Sequence, residues 1–254
     1  MNLYYTIVMF VFGTIFGSFY NVVGDRLPDG KSIIRPGSHC PKCGHMLKPI
    51  ELIPILSYII QGGKCKKCKC KVPIFHPLYE IFVGLLFMFC YLSFGFSVNL
   101  VIALTFASML AILIVSDYYY MIIPDEILVV FGVLLAIETA IFQGPMVLLT
   151  SILNGLIAFG CMFGLKKFGD LLFKTDSMGG GDIKLLFFFG FVLGWEMAIF
   201  AIFLGSLIGL PVSLIILKTK KTNIIPFGPF LSIGALIIML THFDITKLLS
   251  ILLQ

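Results

Sequence analysis

The sequence predicts an all-α polytopic membrane protein of about eight transmembrane helices, with one small polar segment between the first and the second. Three observations predict it. The 254 residues are 59% apolar and 12% charged, about half the charged fraction of a soluble domain. Uncharged runs of near membrane-spanning length recur along almost the whole chain. The basic residues gather between particular runs instead of being spread evenly.

Residues 3–23, LYYTIVMFVFGTIFGSFYNVV, form an uncharged run long enough to cross a bilayer core. No basic stretch precedes it and no small-residue cleavage site follows, so it reads as a retained helix and not as a removed leader. Residues 24–77 are rich in Lys, Pro, Gly and Cys and are the one sizeable region outside the bilayer. Within them IELIPILSYIIQ (50–61) is too short to span and carries Pro54, so an interfacial or re-entrant segment is expected. Further runs lie at 78–97, 98–116, 126–143, 145–165, 183–195, 197–217 and 226–250, the run at 183–195 being short for a span. The chain therefore divides into a first helix (1–23), a polar module (24–77) and a helical core (78–254), with no internal repeat evident. The pairs Gly13/Gly17 and Gly205/Gly209 place small residues one helical turn apart, where helices approach closely in lipid.

Charge sets the orientation. Of 18 Lys and Arg, ten lie in 24–77; Lys166, Lys167, Lys174 and Lys184 flank a second connection, and Lys218, Lys220 and Lys221 a third. With eight alternating spans these three regions share a side, and only Lys247 falls opposite. The positive-inside rule makes that side cytoplasmic and puts both termini outside. The basic surplus thus reads as topology first and as attraction to membrane lipid second. No nucleic-acid recognition motif accompanies it, so nucleic acid is not an expected partner.

Four of the seven cysteines fall as CPKCG (Cys40, Cys43) and CKKC (Cys65, Cys68), 21 residues apart. Two such turns offer four thiolates in a tetrahedron, the preferred environment of Zn²⁺, and a reducing cytoplasm argues against disulfides. A closed four-sulfur set makes the zinc structural. Lys42, Lys64, Lys66, Lys67, Lys69 and Lys71 offset the negative charge of such a centre. Cys70 in place of Cys68, or His39 or His45 in place of a thiolate, are alternative ligands; Cys90 and Cys161 read as packing residues.

Two carboxylates remain. Asp117 opens DYYYMIIPD after a long uncharged run, and Asp182 stands in GGGDIK at the start of another. By the topology above, both sit at cytoplasmic ends of spans at similar depth. Two carboxylates in a partly dry site share one proton, which is the chemistry of aspartic proteolysis. The glycines allow a backbone, such as an extended substrate strand, to come close. Taken singly, Asp182 reads as a helix N-cap, and Asp125 and Glu126 as caps of the following helix.

These motifs, in the order GSFYNVVGDRLP (17–28), CPKCG (40–44), IELIPILSY (50–58), PIFHPLYE (73–80), DYYYMIIPD (117–125) and GGGDIK (179–184), resemble the type IV prepilin leader peptidases, GxGD membrane aspartic proteases, over essentially the whole chain. The resemblance implies that Asp117 and Asp182 are the catalytic pair and that Cys40, Cys43, Cys65 and Cys68 hold zinc. It implies prepilin or pseudopilin precursors as substrates and a bacterial cell membrane as location, with cleavage at the cytoplasmic face. It further implies N-methylation of the new N-terminus from S-adenosylmethionine, for which the residues mark no site; Glu51 and Glu80 lie within the motifs and could serve it or be interfacial carboxylates. Lys69 departs from the pattern, where glycine often follows the second cysteine pair, and Cys70 is extra. The competing readings are a proton- or ion-coupled transporter, a protease of the signal-peptide-peptidase kind, and an assembly scaffold with a zinc platform.

Overall fold

A computed structural model describes residues 2–174, 179–220 and 226–243. All its regular structure is helical: α1 (Leu3–Arg26), α2 (Leu56–Ile60), α3 (Phe75–Phe94), α4 (Val98–Tyr120), α5 (Asp125–Phe142), α6 (Pro145–Phe173), α7 (Gly180–Leu193), α8 (Trp195–Lys220) and α9 (Gly228–Thr241), with a 3₁₀ turn at Pro49–Leu52. Within the described residues each apolar run of the sequence falls on one helix. Five of these, α1, α3, α4, α6 and α8, are long and apolar enough to cross a membrane. The other three differ for definable reasons. Helix α5 carries Asp125, Glu126 and Glu138 in 18 residues, and α7 and α9 have 14 residues each, about 21 Å against a ~30 Å hydrocarbon core. The expected continuation of the last run beyond residue 243, with Lys247, lies outside the described residues, as does Lys221.

The chain forms two compact units, Met1–Phe96 and Ser97–Gln254. In the first, α1 and α3 lie antiparallel. The expected small-residue contact is present: a Cβ on Gly13 would stand 2.7 Å from the Val83 carbonyl oxygen, and one on Gly84 2.7 Å from the Thr14 methyl. With no room for side chains there, the two backbones cross in direct contact, and Phe16 stacks on Phe87 at 5.8 Å on one flank. The polar module connects the two helices. Its apolar stretch is broken at Pro54 into the 3₁₀ turn and α2, as a proline there requires.

In the second unit α4 is the central helix. Phe106, Ala107, Met109, Leu110, Ala111 and Val115 are fully buried, so the middle of α4 is enclosed by its neighbours while its two ends are exposed. Glycines again set the approaches. A Cβ on Gly190 of α7 would meet the Asn154 carbonyl oxygen of α6 at 2.5 Å, and Gly205 and Gly209 of α8 receive Phe230 of α9. Helices α6 and α8 turn wide apolar faces outward, as a lipid-facing rim does. Cys90 is fully buried, in line with a packing role; Cys161 is exposed on α6 and packs in no core.

Candidate active site and metal centre

Asp117 lies in the last turn of α4 and is 7% exposed. The helix ends because Met121 adopts the left-handed conformation (φ 56°) and returns its N–H to the Asp117 carbonyl at 2.9 Å. Ser116 donates its hydroxyl to the Ile122 carbonyl at 2.6 Å, which pins the turn that follows, and Pro124 then leads into α5. The first turn of α7 is seated on that turn: a Cβ on Gly181 would lie 2.9 Å from Cβ of Ile123. One residue on, Asp182 stands in that same first turn, at the end of α4 that carries Asp117. Deeper in the unit, Phe106 of α4 meets Phe189 of α7 edge-on at 6.0 Å.

Two details differ from the sequence reading. The N-cap position of α7 is Gly179, and Asp182 is the third residue of the helix, so it sits at the positive end of the helix dipole without capping it. Of the glycines before it, Gly181 is spent on Ile123 inside the protein, while Gly180 faces open space. Asp125 likewise does not cap α5, whose N-cap position is Pro124; it pairs with Lys184 of α7 at 2.6 and 2.8 Å. That ion pair ties the first turns of α5 and α7 together.

The sequence reading missed Gly228. Its N–H, at the start of α9, donates to Asp117 Oδ2 at 3.0 Å, and a Cβ there would stand 2.8 Å from the same oxygen. Helix α9 packs on both α4 and α7, so its first turn closes the site from a third side. The available signal was the glycine before Pro229, a proline suited to a helix start, though nothing in the sequence says what that glycine touches.

In the polar module the Sγ atoms of Cys40, Cys43, Cys65 and Cys68 all lie within 4.8 Å of one another. Cys40 and Cys68 are 3.8 Å apart and Cys43 and Cys65 3.9 Å. A tetrahedron with metal–sulfur bonds of ~2.3 Å has edges of about 3.8 Å, so the donor set fits Zn²⁺. Backbone N–H groups of Cys43 and Lys42 point at Cys40 and hold its thiol down at about 6, favouring the thiolate a metal needs. His39 and His45 bind elsewhere: His39 Nδ1 meets the Gly37 carbonyl at 3.0 Å, and His45 Nε2 meets Glu51 Oε2 at 3.2 Å.

A repeat that the sequence reading did not find shapes this centre. Cys40 N–H bonds the His45 carbonyl and Gly44 N–H the Cys40 carbonyl, each at 2.9 Å; Cys65 and Cys70, and Lys69 and Cys65, repeat these bonds at 2.8 and 2.9 Å. Leu47 to Ser38 is matched by Val72 to Gly63, and the bridge His39–Met46 by Lys64–Lys71. Gly44 (φ 66°) has its counterpart in Lys69 (φ 58°), so the lysine that departs from the glycine pattern adopts the glycine conformation.

Glu51 and Glu80 hold the module together. Glu51 is buried and accepts the Lys48 N–H at 2.8 Å, which with His45 keeps its carboxyl below the usual carboxylate range. Glu80 of α3 accepts the N–H of Ile55 at 2.8 Å, fixing a β-branched residue at φ 61° just after Pro54. Nearby, Asn21 of α1 bonds His76 of α3 at 2.5 Å.

The chain is similar to known proteins over most of its length. Residues 11–94 match the Bacterial Peptidase A24 N-terminal domain, and residues 104–214 match the Type IV leader peptidase family. The chain is 38% identical over 234 residues to the prepilin leader peptidase/N-methyltransferase of Bacillus subtilis (strain 168), covering 91% of this chain and 92% of that one. It is 32% identical over 232 residues to the protein of that name from Myxococcus xanthus, covering 88% and 69%. With that of Pseudomonas aeruginosa it shares 30% over 273 residues, covering 92% and 90%. No solved structure matches the chain.

Proposed function

Because the chain belongs to the prepilin leader peptidase/N-methyltransferase family, we propose that it removes the leader of type IV prepilin-like precursors with Asp117 and Asp182 as one acid–base pair, and then methylates the new N-terminus. The observation that carries the reading is the junction of three helix ends. The first turn of α7, which carries Asp182, sits on the turn that follows Asp117 at the end of α4, and Asp117 Oδ2 is held by the Gly228 N–H at the start of α9.

A carboxylate oxygen accepts an N–H more strongly than a carboxyl hydroxyl does, so the Gly228 N–H favours negative charge on Oδ2 of Asp117. The pair shares one proton. In the reaction the ionised carboxylate takes a proton from water as the water oxygen attacks the peptide carbonyl carbon. The protonated partner gives its proton to the carbonyl oxygen as that oxygen gains charge. The tetrahedral adduct then collapses: its hydroxyl proton returns to one carboxylate, the peptide C–N bond breaks, and the other carboxyl protonates the leaving amine. The pair ends with one proton, as it began.

All eight long helices act as spans in this reading, with the shorter α7 and α9 lodged beside α4 and α8 at thinned or sheltered depth. Seventeen of the 18 basic residues then fall on the cytoplasmic side of a bacterial cell membrane, where both aspartates also lie. The four cysteines hold a structural zinc, which supplies folding energy to the loop and takes no part in the proton transfers. The described residues form no βαβ unit, so S-adenosylmethionine would be held by helices and loops; no described residue marks its place. Purified protein incubated with a prepilin should release the leader peptide, read by mass spectrometry. Intact precursor after prolonged incubation with folded protein would favour a transporter or scaffold instead.

A further inference from the structure

The second cysteine turn carries a thiol that the four-ligand centre does not use. Cys70 Sγ lies 3.5 Å from Cys40 Sγ and 3.2 Å from Cys68 Sγ. Both separations are below the ~3.8 Å edge of a tetrahedral tetrathiolate, and the shorter one is far below it, so Cys68 and Cys70 do not ligate one metal together. Cys70 lies outside that set of four, against its Cys40–Cys68 edge, and close enough to Cys68 to move into the corner that Cys68 vacates. Building on the reading of these residues as a metal centre, we propose that Cys70 is an interchangeable fourth ligand that takes the metal when Cys68 is lost.

The repeat within the module explains how the spare thiol arises. Cys70 holds the position of His45 in the first turn, closing the knuckle through its carbonyl to Cys65 N–H. His45 is drawn away from the sulfurs by Glu51. The residue equivalent to Glu51, 25 positions on, is His76, which belongs to α3 and bonds Asn21. No carboxylate therefore turns Cys70 outward, and its short side chain points back at the cluster. Lys69 at φ 58° bends the chain between Cys68 and Cys70 so that their two sulfurs lie side by side at 3.2 Å. Cys68 is the exposed member of the pair and Cys70 is half-buried, so the sulfur most open to alkylation or oxidation is the one with a substitute. The exchange is balanced: Cys70 gives up its proton as its metal–sulfur bond forms, and the departing Cys68 thiolate takes one up.

Cobalt(II) loaded into the purified full-length protein tests this, because its sulfur-to-cobalt absorption reports the number of bound thiolates. Wild type, Cys68→Ser and Cys70→Ser should each bind one cobalt with the same four-thiolate spectrum. The Cys68→Ser/Cys70→Ser double variant should show a three-thiolate spectrum and lose metal to a chelator more than about ten-fold faster. Cys43→Ser, which has no substitute, should behave like the double variant. A three-thiolate spectrum in Cys68→Ser alone, or in Cys70→Ser alone, overturns the exchange, and the second result makes Cys70 the resident ligand. Wild type that binds no metal overturns the metal-centre reading itself, a result distinct from either.

Discussion

Gly228→Ala tests the proposed site without displacing its helices. The added Cβ would stand 2.8 Å from Asp117 Oδ2 and 3.2 Å from its Cγ. A carbon–oxygen contact relaxes to ~3.3 Å or beyond, so the carboxylate must retreat by about 0.5 Å. The atoms that must move are the end of a side chain and not backbone, so the helices need not shift and any loss of stability is confined to the one stretched hydrogen bond. The 3.0 Å hydrogen bond from the Gly228 N–H, however, would stretch to about 3.5 Å, at the edge of bonding. A hydrogen bond to a charged group contributes about 1.5–3 kcal/mol. If the reaction uses that bond, its loss slows leader cleavage by about 10- to 150-fold. The assay is single-turnover cleavage of a prepilin in detergent or liposomes, with thermal unfolding measured alongside. Cleavage within two-fold of wild type, in a protein that is folded at the assay temperature, would refute the claim that this amide holds a reacting carboxylate.

Lys69→Gly should stabilise the second cysteine turn by about 1 kcal/mol, because it removes a side chain from a left-handed residue at φ 58°; slower metal loss to a chelator checks it. Gly190→Ala should destabilise the second unit by about 1–3 kcal/mol, since the new methyl meets the Asn154 carbonyl at 2.5 Å and Ala158 at 2.7 Å, and backbone cannot yield cheaply; a lowered unfolding temperature in detergent checks it. Asp125→Asn breaks only an exposed ion pair with Lys184, worth about 0–1 kcal/mol, so leader cleavage should stay within several-fold of wild type in the same assay.

The sequence made the helices legible because uncharged runs bounded by Lys, Asp and Pro leave few alternatives in a bilayer. Their ends were less legible. Helix α3 begins at Phe75, three residues before the expected run, since Pro77 is tolerated in a first turn that needs no N–H there. Helix α7 begins at Gly180 for the same reason of position: its first-turn N–H groups lack intrahelical partners, so glycine costs little and the close seat on Ile123 decides. Asp117 and Asp182 stood out because a carboxylate beside an apolar run needs a reason. Gly228 did not, because its role is a contact across 111 positions of sequence. The repeat within the polar module was hidden because it lies in backbone hydrogen bonds: SHCPKCGHML (38–47) and GKCKKCKCKV (63–72) share little beyond two cysteines and the lysine before the second.

The central claim is that Asp117 and Asp182 act as one acid–base unit, and substitution by asparagine tests it most directly. Asparagine keeps the size and can still accept the Gly228 N–H, but it can neither carry the charge that activates water nor pass a proton. Leader cleavage by Asp117→Asn, Asp182→Asn and the double variant should be measured on proteins shown to unfold at the wild-type temperature. The account predicts that each single variant abolishes cleavage and that the double variant is little worse than either, as residues acting as a unit behave. Cleavage at near wild-type rate by either single variant would contradict it.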